Sequence, residues 1–85
     1  MNNNLHINIG RKIKQIRLDN SFTLTHVANK AGVSKGLISK IENGRTIPSL
    51  PVLLQIIKAL ETDLSFFFEG ISDFHSAGYI HRKAS

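Results

Sequence analysis

Residues 23–44 constrain this chain most, because an apolar helical repeat there is interrupted once by a glycine and then resumes. Val27, Ala28 and Ala31 fall at i, i+1 and i+4, the spacing of one buried helix face. Leu37, Ile38 and Ile41 reproduce it. Between the two sets lies Gly32, where a chain leaving a helix often needs a positive φ. Thr23 and Ser34 stand where each repeat begins, and their hydroxyls can cap a helix by accepting a backbone N–H one turn in. Ala28 is small enough to let two helices cross closely. Asn43 and Gly44 close the second repeat, with Gly44 supplying the left-handed residue. The stretch therefore predicts two short helices packed across a tight turn.

The flanking sequence predicts three more helices. Ile9, Ile13 and Ile16 mark the buried face of a first helix, capped by Asn8 and running to about Asn20. Residues 1–7 are polar and Asn-rich and are expected to form a flexible arm. Asp19-Asn20-Ser21 is a stop made of turn formers. Phe22, just before the cap at Thr23, is expected to pack on Val27 as a hydrophobic staple. Ser49 caps a fourth helix that tolerates Pro51 in its first turn. Leu50, Leu53, Leu54, Ile56, Ile57 and Leu60 make that helix apolar over more than one face. A short fifth helix follows Thr62 or Asp63 and spans 64–69. Its adjacent Phe66, Phe67 and Phe68 splay by ~100° per residue, so at least one is exposed in a lone monomer. The domain is expected over residues 8–70. Residues 71–85 carry no helical period; they are either a tail, with Tyr79-Ile80-His81-Arg82 as an extended segment, or the start of a linker to a further domain.

Two helices crossing at such a turn form a helix-turn-helix, whose second member enters the DNA major groove. The charge distribution agrees. Every lysine and arginine except Lys58, Arg82 and Lys83 lies in the first 45 residues, against only Asp19 and Glu42. A polyanionic partner at that end follows. With Ile38 and Ile41 turned inward, Lys35, Gly36, Ser39 and Lys40 are left facing out. Lysine ammoniums suit guanine O6 and N7, and a serine hydroxyl can serve several bases. Gly36 lowers helix stability by roughly 1 kcal/mol relative to alanine. Either the backbone approaches DNA closely there, or the position makes no base contact.

Residues 9–68 resemble the DNA-binding domain of the phage-repressor/Cro (XRE) family. The matching stretches are Ile9-Gly10-Arg11-Lys12-Ile13, Phe22-Thr23-Leu24, Ala28, Gly32-Val33-Ser34, Leu37 through Gly44, Pro48-Ser49-Leu50 and Ile57-Lys58-Ala59-Leu60. The resemblance implies an all-α, five-helix, lambda-repressor-like domain reading operator DNA, and a transcriptional regulator acting as a homodimer is the expectation. It places Lys35, Gly36, Ser39 and Lys40 at the base-edge positions. It places phosphate contacts at Thr23, Thr25, Ser34, Asn43, Arg45 and Thr46. It pairs Arg17 with Glu42 as a partly buried structural ion pair between the first and third helices. The family commonly has a glutamine where this sequence has Leu24, so one side-chain donor is missing. Similar regions in the family often lead from the tail into a small-molecule-sensing β-barrel.

A chain of 85 residues makes one small domain with a limited core. Dimerisation through Leu54, Ile57, Phe66, Phe67 and Phe68 would extend it. The chain has no cysteine, which excludes disulfides and thiolate metal sites and suits a cytoplasmic location. It shows no long apolar run and no signal peptide at Met1-Asn2-Asn3-Asn4, so no membrane partner is expected. His6, His26, His75 and His81 lack metal-ligand spacing, and His26 is expected on an exposed helix surface. Gly32, Gly36 and Gly44 do not form a phosphate loop. No enzyme, cofactor or metal site is expected. The rival to a DNA-reading regulator is a protein-interaction module, an antitoxin partner or adaptor, using the fourth and fifth helices.

Overall fold

The computed structural model describes residues 4–69 together with Ile71. Five helices follow one another: α1 (Asn4–Asp19), α2 (Leu24–Ala31), α3 (Lys35–Glu42), α4 (Leu50–Ala59) and α5 (Leu64–Glu69). No strand occurs among the described residues. The all-α, five-helix expectation therefore holds.

Short helices need their ends defined, and here polar side chains define four of the five starts. The His26 N–H donates to Thr23 Oγ1 (3.0 Å) and the Leu37 N–H to Ser34 Oγ (3.0 Å). The Val52 N–H donates to Ser49 Oγ (3.4 Å), and the Phe66 N–H to Asp63 Oδ1 (2.8 Å). Each bond satisfies an N–H that the first helical turn leaves without a partner. The other ends of α1 to α4 turn through one left-handed residue: Ser21 (φ 59°), Gly32 (φ 75°), Gly44 (φ 73°) and Glu61 (φ 62°). At each, the following N–H reaches back to a carbonyl five residues earlier, as in Val33 to Ala28 (3.0 Å) and Arg45 to Lys40 (2.9 Å).

The start of α1 corrects the sequence expectation. The helix begins at Asn4, so Asn8 is an interior, half-buried residue rather than a cap, and residues 4–7 are not an arm. The physical reason is Leu5, which packs against the core and extends the Ile9–Ile13 stripe back by one turn. Residues 1–3 and 72–85, with the expected extended segment at 79–82, lie outside the described residues, as does Gly70.

α1 lies along α3 and α2 along α4, while α2 and α3 pack on each other. The centre is filled by Ile13, Val27, Ile38, Ile41, Ile56, Leu60 and Phe67, with Ile71 buried beside them. Ile71 thus belongs to the core, one residue past the expected boundary. Two residues expected at a dimer surface are also core. Ile57 is 4% exposed and Phe67 0%, because α4 and α5 fold back over α1 to α3 and need an apolar inner face of their own. Phe66 is the phenylalanine that the splay leaves outside, at 54% exposure.

The α1–α3 crossing is close because residue 10 is glycine. A Cβ there would collide with the Ile41 carbonyl oxygen and lie 3.0 Å from that of Glu42. Backbone therefore meets backbone where the end of α3 rests on α1.

Candidate nucleic-acid interface

The outward face of α3 is set by what its inward face buries. Ile38 and Ile41 are fully enclosed, and Leu37 is half-buried against the core. The opposite side then presents Lys35, Gly36 and Lys40 to solvent, with Ser39 half-buried among them. The one acid of α3, Glu42, is withdrawn from this face. Its carboxylate accepts from Arg17 Nε (2.7 Å) and from Arg17 Nη2 (3.0 Å). The side chains of the pair are 10% and 5% exposed. Arg17 Nη1 also donates to the Phe22 carbonyl (3.0 Å), so one guanidinium ties α1 to the end of α3 and to the approach to α2. The hydrogen bonds to Glu42 raise the Arg17 pKa above its ordinary value, against the opposing effect of burial. Both carboxylate oxygens are thus engaged, and the charged side chains that α3 turns outward are cations, Lys35 and Lys40.

A shallow cleft of about 600 Å³ gathers further expected residues: Thr23, Thr25 and Lys35 line it with Arg17, Leu18, Ser21, Phe22 and Leu24. The first turns of α2 and α3 therefore open on the same surface. Helix N-termini carry partial positive charge and unpaired N–H groups, which suits phosphate oxygens. Thr23 and Ser34 use a hydroxyl lone pair for capping, which leaves each O–H able to donate outward. Leu24 is half-buried and packs on the core, an apolar wall beside Lys35 with no donor to offer.

Past α3, Arg45 is exposed and Thr46 half-buried. Asn43 is engaged internally: its Nδ2 donates to the Ser39 carbonyl (2.9 Å), which closes α3 and commits one amide hydrogen. The ten residues expected to touch DNA thus form two groups. Thr23, Thr25, Ser34, Lys35, Gly36, Ser39 and Lys40 lie on and beside the α2 and α3 starts and the outer face of α3. Asn43, Arg45 and Thr46 follow its end.

Elsewhere the expectations divide. Leu54 is 43% exposed and Phe68 is half-buried, its ring edge-on to Phe67 at 5.2 Å. The Lys12 ammonium lies over the Phe66 ring (5.1 Å), so this cation is occupied on the α5 side. Phe22 packs against the core that includes Val27, its expected staple partner, and its ring lies 4.4 Å from that of His26. His26 is exposed as expected. No group of three or more His, Cys, Asp or Glu among the described residues could hold a metal ion. No described helix is long and apolar enough to cross a membrane. Sequence reasoning gave Gly10 no positioning role of its own; the available signal was a glycine inside an otherwise regular helical repeat.

Comparison with known proteins agrees with this geometry. A helix-turn-helix family model matches residues 13–67, more than half of the chain. The HTH-type transcriptional regulator SinR of Bacillus subtilis is 39% identical over 57 residues, covering 66% of this chain and 51% of SinR. The HTH-type transcriptional regulator SlrR of the same organism is 37% identical over 62 residues, covering 72% of this chain and 41% of SlrR. The chain thus spans about half the length of these relatives, or less. Among solved structures, a point mutant of the restriction-modification controller protein C.Esp1396I superposes with a TM-score of 0.80 at 28% identity, covering 92% of this chain and 99% of that one. The C.Esp1396I tetramer in complex with its natural 35 base-pair operator gives a TM-score of 0.76 at 30% identity, covering 81% and 91%.

Proposed function

The chain belongs to the XRE-type helix-turn-helix family, and from that premise we propose that it is a sequence-specific DNA-binding transcription regulator. α3 enters the major groove and presents Lys35, Ser39 and Lys40 to base edges. Thr23, Thr25, Ser34, Arg45 and Thr46 hold the flanking phosphates, with the outer amide hydrogen of Asn43. The observation that carries this reading is the outer face of α3, whose only charges are the cations Lys35 and Lys40 because its one carboxylate is held inward by Arg17. The named functions of SinR, SlrR and C.Esp1396I support it. The protein acts without catalysing a reaction, in the cytoplasm, where its DNA is.

It works as a homodimer, with two copies of α3 in successive major grooves ~34 Å apart on a palindromic site. Leu54, Phe66 and Phe68 contribute the apolar surface between copies. The operator complex of the C.Esp1396I tetramer supports an oligomeric assembly on DNA.

The test is in vitro selection from randomised duplex DNA with the full chain, followed by titration of the enriched duplex at several salt concentrations. We expect an enriched palindrome whose binding weakens steeply as salt rises, since phosphate contacts release counterions. The double variant Lys35→Ala/Lys40→Ala should lose preference for it. Absence of any enriched sequence, or binding insensitive to salt, would overturn the proposal.

A further inference from the structure

Each of the four glycines in the described residues can be asked what the fold requires of it. Gly10 is needed because any Cβ would strike α3 backbone. Gly32 and Gly44 are needed because they sit at positive φ, and a Cβ on Gly44 would also lie 3.0 Å from Ile7. Gly36 differs from all three. It lies in the first turn of α3 without a positive φ, and a Cβ there would meet only Ser34 Oγ, at 4.0 Å. Alanine would fit and would favour the helix more. Nothing among the described residues accounts for a glycine at this position.

Gly36 also occupies the centre of the outer face. Lys40 stands one turn further along at i+4, Ser39 at i+3, and Lys35 is adjacent. Two long, flexible cations thus flank a position with no side chain, beside a short hydroxyl that is itself half-buried. A lysine ammonium can reach a base edge from a helix held off by several ångströms. The Ser39 hydroxyl cannot; it reaches only if the α3 backbone lies close to the floor of the groove.

We propose that Gly36 determines how deeply α3 seats in the major groove, so that the missing side chain brings Ser39 within reach of a base edge and makes position 36 a specificity determinant. This rests on the DNA-reading function proposed above. It assigns Gly36 a role through backbone approach, with no hydrogen bond of its own to a base.

The experiment uses the full chain and the duplex that the parent enriches from a random library, with an unselected duplex of equal length as control. Gly36→Ala and Gly36→Ser are compared with the parent by thermal melting and by binding to both duplexes. Each variant should melt at or above the parent temperature, bind the selected duplex about tenfold or more weakly, and bind the unselected duplex as the parent does. Ser39→Ala should lose selectivity in the parent and have little further effect in Gly36→Ala. Undiminished binding of the selected duplex by the Gly36 variants would overturn the proposal while leaving the DNA-reading function intact. So would equal losses on both duplexes, or a lower melting temperature, which would mean that the fold itself needs the glycine. A parent that enriches no duplex would instead remove the DNA-reading function and this inference with it.

Discussion

Arg17 joins more of the fold than any other charged side chain among the described residues. It holds both oxygens of Glu42 and the carbonyl of Phe22 within one planar group. Arg17→Ala leaves a nearly buried carboxylate and a carbonyl without their donor, so we expect a loss on the order of 3 kcal/mol in urea unfolding. Arg17→Ala/Glu42→Ala should cost less than the two single changes together, because neither charge is then stranded. Arg17→Lys keeps the charge but not the fork and should fall between parent and alanine. The sign of the pH dependence follows from the raised Arg17 pKa. Its contribution is complete below the ordinary arginine value and is lost as pH rises from there through the higher folded one. Between about pH 6 and 10 the stability difference between Arg17→Ala and parent should therefore stay flat. Gly10 acts at the same scale without charge. Gly10→Ala forces α1 and α3 apart at a backbone contact and should destabilise by at least ~1–3 kcal/mol in thermal or urea melts.

Among the helices, what matters is how short segments are stopped and started. α2, α3 and α5 are eight, eight and six residues long, too short to persist alone. Their caps and left-handed exits are therefore a large part of what defines them. Two of the four exits use glycine and two, Ser21 and Glu61, do not. Left-handed backbone costs an ordinary residue roughly 1–2 kcal/mol. Glu61→Gly should accordingly raise stability by up to ~1 kcal/mol. Gly44→Ala should lower it by ~1 kcal/mol or more, because it adds a contact with Ile7 to the same strain. Differential scanning calorimetry of the two variants would show opposite shifts. Gly32 and Gly44 were readable in advance because glycine at a helix end has a fixed meaning. Ser21 and Glu61 were not, since neither residue type signals a positive φ.

For the whole molecule, the proposed homodimer depends on which apolar residues are left for another copy. Leu54 and Phe66 are exposed, whereas Ile57 and Phe67 are inside the monomer. Leu54→Ser/Phe66→Ser should therefore shift sedimentation from dimer to monomer at micromolar concentration with the helical circular dichroism retained. Ile57→Ser or Phe67→Ser should unfold the chain by burying a hydroxyl in the core. Should the Leu54/Phe66 variant remain dimeric, the interface lies elsewhere.

The linear chain already specified five helices, the turn at Gly32, the caps at Thr23, Ser34 and Ser49, and the cationic outer face of α3. Periodicity, turn residues and charge are local quantities, and they survive being read in one dimension. The resemblance supplied the Arg17–Glu42 pair, and the coordinates give its bond lengths and its third partner, Phe22. Packing decided the remainder. Neighbouring residues of one apolar helix go to opposite sides according to what stands beside them, which sent Phe67 inward and Phe66 outward. The same kind of contact extended α1 back to Asn4 through Leu5 and drew Ile71 into the core. It also explains Gly10 by its contact with residues 41 and 42, far along the chain and adjacent only after folding, where excluded volume acts between segments that the sequence keeps apart.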